Sequence, residues 1–231
     1  MLLGCIADDF TGASDLGLVL AAQGLRVVQT VGVPAAGCVA AIDADAVIVA
    51  LKSRTAPVRE AVSESLAALS WLEARGARRF LFKYCSTFDS TDQGNIGPVA
   101  DAVLDALDAD FTIVCPAYPS LGRTVKEGDF YVGDVLLSES GMRDHPLTPM
   151  TDSNLVRVLG RQTAHKVDLI RYPVVAASAG ALRAALSEAR DRGTRYAIID
   201  VLHDDDLRVI AEATADLTLI TGGSGMALGL P

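Results

Sequence analysis

The residues able to do chemistry gather just after short apolar runs. Asp8, Asp9, Thr11 and Gly12 follow Leu2–Ala7. Lys52, Ser53, Arg54 and Thr55 follow Ala46–Leu51. Cys85, Ser86, Thr87, Asp89 and Ser90 follow Arg79–Lys83. Arg54 offers a planar fork matched to a carboxylate, and Lys83 a compact point charge. Asp8 or Asp9 can accept hydrogen bonds from hydroxyls, and Ser86 and Thr87 can both donate and accept. Brought to one rim, these groups describe a pocket for a small polyhydroxy acid. Plainer readings stand beside that one. Asp8–Gly12 also reads as a turn into a helix capped by Thr11, Lys52 and Arg54 as solvated loop cations, and Ser86 and Thr87 as turn residues.

Other run ends carry weaker signals. Asp204–Asp206, after Tyr196–Asp200, suits the start of a helix. Gly222-Gly223-Ser224-Gly225, after Leu217–Thr221, suits either a phosphate-cradling loop or a hinge. His145, His165 and His203 lack metal-ligand spacing, so no metal is assigned. A phosphatase of the haloacid dehalogenase type places Asp at i and i+2 after its first strand; here position 10 is Phe. GxxxxGK[ST] is absent throughout, and GxGxxG is absent after the first run.

The elements that must position these groups alternate. Strand-like runs are Leu2–Ala7, Arg26–Val31, Ala46–Leu51, Arg79–Lys83, Phe111–Pro116, Val167–Ile170, Tyr196–Asp200 and Leu217–Thr221. Several are apolar on both faces, as strands covered on two sides are. Helical stripes fall between them: Val58, Val62, Leu66, Leu69, Leu72; then Ile96, Val99, Ala100, Val103, Leu104, Leu107, with Asn95 as the expected cap; then a helix capped by Ser178 and ending near Gly193. The pattern predicts an α/β fold of three layers, a mostly parallel sheet with helices on both faces. Residues 117–151 break the rhythm with an irregular, hairpin-containing excursion whose turn is Glu127-Gly128-Asp129. A lid, a dimer arm and a docking surface fit it equally.

Of 231 residues, 50% are hydrophobic and only 5% aromatic, a mix suited to strand–helix alternation. The net charge of −9 disfavours nucleic acid and anionic membrane as partners. Cys5, Cys38, Cys85 and Cys115 form no CxxC pair and read as free thiols in a reducing, cytoplasmic setting. Neither a signal peptide nor an apolar run of membrane-spanning length is evident.

Longer motifs add a resemblance. Ala7-Asp8-Asp9-Phe10-Thr11-Gly12-Ala13-Ser14-Asp15, the run 83–91 followed by Gly94-Asn95-Ile96-Gly97-Pro98, Gly133–Leu137, His145–Leu155 and Thr221–Gly225 resemble, in order, the four-carbon acid sugar kinase family, and most closely its 3-oxo-tetronate kinase branch. The resemblance implies an N-terminal acid-binding domain and a C-terminal domain that binds ATP and Mg. It implies that Asp8 or Asp9, Arg54, and the run Lys83, Tyr84, Cys85 and Ser86 line the acid pocket, with Asp8 favoured as nearer the strand end. Residues 1–220 are then the sugar-acid-binding domain, and 221–231 the junction to a nucleotide-binding domain not present here. The expectation is a kinase half that binds a sugar acid, binds no nucleotide tightly and is inactive alone. A stand-alone sugar-acid-binding module is the alternative, and an uncovered domain interface could drive homo-oligomerisation.

Overall fold

A computed structural model describes residues 3–35, 43–89 and 91–230. Leu2, Cys38 and Ser90 lie outside them. In chain order the strands are β1 (Leu3–Ala7), β2 (Val27–Val31), β3 (Ala46–Ala50), β4 (Arg79–Lys83), β5 (Thr112–Cys115), β6 (Arg123–Lys126), β7 (Asp129–Val132), β8 (Val135–Leu136), β9 (Lys166–Ile170), β10 (Thr194–Ile199) and β11 (Leu219–Gly222). The helices are α1 (Phe10–Ala22), α2 (Val58–Glu73), α3 (Ile96–Ala106), α4 (Leu155–Gly160), α5 (Tyr172–Ala177), α6 (Ala179–Asp191) and α7 (Asp204–Ala213).

Eight strands form one parallel sheet in the order β2-β3-β1-β4-β11-β5-β10-β9. Every residue of β1, β3, β5 and β11 is buried, which explains their unbroken apolar character. One face carries α2 against α3. On the other, α1 packs on a 3-10 turn, Ser224–Leu228, which in turn meets α7, and α7 meets α6. The expected three layers are present. The chain runs from β1 outward to β2, back to β3, then across β1 to β4. Loops leaving β1 and β3 therefore meet where the winding changes direction, which is where open parallel sheets bind ligands.

The excursion is a built structure. β6, β7 and β8 form a three-stranded antiparallel sheet. Glu127 and Gly128 turn the expected hairpin with φ of 53° and 78°, the pair of positive values that a tight two-residue hairpin needs. Val125, Phe130, Leu137 and Met150 are buried in the common core, so the segment is anchored along its length.

Two caps differ from expectation. Helix α1 starts at Phe10, and Asp9 caps it by accepting from the Gly12 N–H, in place of Thr11. Asn95 makes no side-chain cap to α3. Its amide instead donates to the carbonyls of Ser53, Arg54 and Ala56 at 2.7, 3.2 and 2.9 Å. Those carbonyls lie in a turn with no strand partner, and a buried amide does more by satisfying them than by meeting one helix N–H. Ser178 does cap α6, through the Ala181 N–H. The short helices α4 and α5 had no readable stripe, since six residues give less than two turns of periodicity.

Candidate functional site

Three adjacent strands deliver the predicted groups to one rim. β3, β1 and β4 lie side by side in register, with Ala50, Ala7 and Lys83 level with one another. Asp8 and Asp9 leave β1 there. The chain after β3 returns over them, and the N–H groups of Ser53 and Arg54 donate to the Asp8 carbonyl at 3.0 and 3.2 Å. Asn95, bonded to the carbonyls of that same turn, fixes it from the far side.

The fork of Arg54 is already filled. Its Nε and Nη2 donate to the two oxygens of Asp8 at 2.9 and 2.7 Å, and Nη2 also reaches Asp9 Oδ1 at 2.6 Å. Asp89 lies 3.7 Å from Nε. The Nε–Nη2 edge is thus occupied by the protein's own carboxylates, while Nη1 makes no hydrogen bond among the described residues. Asp8 is 5% exposed. Burial pushes its carboxyl above the ordinary value, against the opposing hydrogen bonds and charge of Arg54 and the charge of Lys83. Burial also works against the Arg54 cation, but its bonds to Asp8 outweigh that and leave it firmly charged. Asp9 is the more open of the pair, with 27% of its side chain accessible against 7% for Asp8. Its Oδ1 serves Arg54, the Gly12 N–H and, at 3.7 Å, the Lys83 ammonium. Its Oδ2 makes no hydrogen bond among the described residues.

Lys83 ends β4 with its side chain 4% exposed. Its ammonium makes no hydrogen bond among the described residues and lies over the first turn of α1. A Cβ on Gly12 would sit 1.7 Å from Nζ, so glycine is what lets the lysine lie there.

The other residues of the run divide. Tyr84 belongs to the core: it is fully buried, its hydroxyl bonds the Thr221 hydroxyl at 2.9 Å, and its ring meets Phe82 and Phe88 edge-on. Its phenol is held in the core by that bond and those rings. Cys85 is half-buried with its thiol 3.1 Å from the Thr87 hydroxyl. Burial, then Asp89, raises its pKa, so it stays a thiol. Ser86 is half-buried beside Gly223, whose Cβ would meet it at 3.2–3.3 Å. Phe88 adopts a φ of 52°, a costly value for an aromatic residue, held by the burial of its ring on Tyr84. That turn sends Asp89 back toward Arg54. Asp89 stood in the sequence among the groups after β4 without an assigned role, and Asn95 only as a helix cap; their place beside Arg54 is what the sequence reading missed.

The closing glycines pack rather than cradle. A Cβ on Gly222, Gly223 or Gly225 would fall 2.3–2.7 Å from the carbonyl oxygens of Cys115, Pro116 or Ala117. They let the end of β11 lie against the end of β5. Among the described residues, no group of three or more His, Cys, Asp or Glu could hold a metal ion, and no helix is long and apolar enough to cross a membrane.

A family model described as a sugar-binding N-terminal domain matches residues 3–230. The chain belongs to that family. Relatives of the sugar-binding domain include 3-oxo-tetronate kinases of Burkholderia multivorans, 64% identical over 230 residues, and Cupriavidus necator, 62% identical over 231. The matches cover 100% of this chain but 53% and 54% of those kinases, so the chain spans about half the length of the curated relatives it matches. Among solved structures, a Haemophilus influenzae protein of the DUF1537 family superposes with a TM-score of 0.94 at 49% identity, covering 98% of this chain and 55% of that one. A Bordetella bronchiseptica DUF1537 protein with bound citrate, a domain-swapped dimer, gives 0.83 at 26% identity, covering 99% and 55%.

Proposed function

We propose that this sugar-binding domain is the acid-binding half of an ATP-dependent kinase for four-carbon sugar acids, 3-oxo-tetronate or a close analogue. The observation that carries the proposal is the convergence of Asp8, Asp9, Arg54 and Lys83 on one rim, level across β3, β1 and β4. In this reading Arg54 orients the aspartates, and Asp9 Oδ2 accepts from substrate hydroxyls. Lys83, Cys85 and Ser86 border the pocket. Citrate in the Bordetella relative supports a hydroxylated, carboxylate-bearing ligand.

Phosphoryl transfer depends on positioning ATP and its metal. In this reading ATP and its metal are positioned by a second domain that completes the kinase. What this domain's own residues do is hold and orient the acid. The free thiols of Cys5, Cys85 and Cys115 fit a reducing cytoplasm, and the swapped dimer of the relative makes self-association part of the same proposal.

Calorimetry of this chain with 3-oxo-tetronate, threonate and glycerate tests it. Binding of the four-carbon acids, and no heat with ATP and Mg²⁺, is the expected result. Failure of every four-carbon acid to bind would sink the proposal.

A further inference from the structure

The rim has two electrostatic halves. On one side the Arg54 guanidinium is shared by Asp8, Asp9 and Asp89, so acidic groups are in excess. On the other, the Lys83 ammonium lies against the first turn of α1. A helix start carries partial positive charge, so a cation is unfavourable there unless an anion joins it. Asp9 meets this only in part: its oxygen is 3.7 Å from Nζ, beyond hydrogen-bond length, and is already used by Arg54 and Gly12.

Helix α1 has thirteen residues. Of its first-turn N–H groups, Gly12 is taken by Asp9, while those of Phe10 and Thr11 have no carbonyl one turn back. The Cα–Cβ bond of a helical residue tilts toward the N-terminus, so the place of the missing Gly12 Cβ, where Nζ sits, is on the open side of the turn. The lysine side chain is 4% exposed and makes no hydrogen bond among the described residues, and in the same turn the Phe10 and Thr11 N–H groups find no acceptor among them either.

We propose that the Lys83 ammonium and the open first turn of α1 form an oxyanion subsite that takes the carboxylate of the sugar acid. The hydroxyls then fall to Asp9, and Gly12 is a positioning residue that keeps the ammonium in place. The inference rests on the acid-binding role proposed above and inverts the part that residue type suggests for Arg54.

A matched pair of ligands tests it: L-threonate, and threitol, which keeps the hydroxyls and lacks the carboxylate. Wild-type protein is expected to bind threonate at least tenfold more tightly than threitol. Lys83→Met is expected to lower threonate affinity at least tenfold and leave threitol unchanged, with melting curves reporting the fold. Gly12→Ala, which drives Nζ from its place, is expected to reproduce the loss. Equal loss for both ligands in folded Lys83→Met, or wild-type threonate affinity, would overturn the subsite while leaving the acid-binding reading standing. Binding of neither ligand by wild-type protein would overturn that reading and the subsite together. Inorganic phosphate is the third arm. Phosphate bound more tightly than threonate, and lost in Lys83→Met, would reassign the oxyanion to a phosphoryl group and overturn the carboxylate assignment.

Discussion

Asp8 and Asp200 occupy equivalent places, each the first residue after a parallel strand and each buried. Their partners differ. Asp8 holds a guanidinium with both oxygens. Asp200 holds backbone: it accepts from the Gly128 N–H at 2.9 Å and the Tyr172 N–H at 3.0 Å, tying the hairpin turn and the start of α5 to the end of β10. Burial raises the pKa of both, opposed at Asp8 mainly by Arg54 and at Asp200 by those N–H groups. A buried carboxylate paired with a cation keeps a movable charge beside a ligand. One satisfied by main-chain N–H groups is a rivet. The partners, not the burial, separate the aspartate proposed for the acid site from the structural one.

The largest effect should come from breaking the cationic pair. Arg54→Met leaves Asp8 buried without its counter-charge and is expected to cost about 3–5 kcal/mol in urea unfolding. The Asp8→Leu/Arg54→Met double variant should regain most of that stability yet not bind the acid, because a packed apolar pair can replace a buried ion pair. A single variant as stable as wild type would erase the contrast. Next, Asp200→Ala removes two charge-assisted bonds and should cost about 3 kcal/mol. Its signature is local: amide exchange in 123–132 should rise well before exchange in 3–7, and uniform protection would show that Asp200 is not the rivet.

Asn95→Ala sharpens the same comparison from the supporting side. It leaves the Arg54 and Ala56 carbonyls without the Asn95 amide, and Ser53 with only the Ala56 N–H, and should cost about 1–2 kcal/mol. Acid affinity should fall with it, whereas Asp200→Ala, far along the sheet, should leave affinity intact; calorimetry on both variants decides. The smallest effect is expected at Asp152, whose pKa is lowered from 3.8 to about 2, chiefly by its hydrogen bond from Arg157. The native pKa lies below the unfolded one, so this stabilisation is present above 3.8 and disappears as pH falls toward 2. Arg157 is exposed, which holds the effect under about 1 kcal/mol. Melting temperatures of wild type and Asp152→Asn should converge across that window.

Strands, layers and rim were legible because burial on both faces writes long apolar runs, and because function collects at strand ends. β4 matched to the residue, Ser178 capped its helix as its type demands, and the turn fell at Glu127-Gly128, where glycine suits the positive φ and Glu127 adopts it against its type. What failed was partner choice. An arginine fork looks free in a sequence, since nothing local shows that an aspartate 46 positions away will fill it. Asn95 reads as a cap because the carbonyls it serves lie 39–42 positions distant. Tyr84 was grouped with its neighbours, and no local signal shows that its ring is buried against Phe82 and Phe88 with its hydroxyl on Thr221. Asp200 had the sidedness of any strand end, and only the folded excursion reveals its load.

One feature of the sheet bears on how the protein is made. β11, last in sequence, sits between β4 and β5, which do not pair with each other. Until residues 219–222 emerge from the ribosome, the nascent chain holds two separate ribbons, β2-β3-β1-β4 and β5-β10-β9, each with a bare apolar edge. The sheet therefore becomes continuous only when β11 pairs, and a deletion of a few residues there would split the sheet rather than trim it.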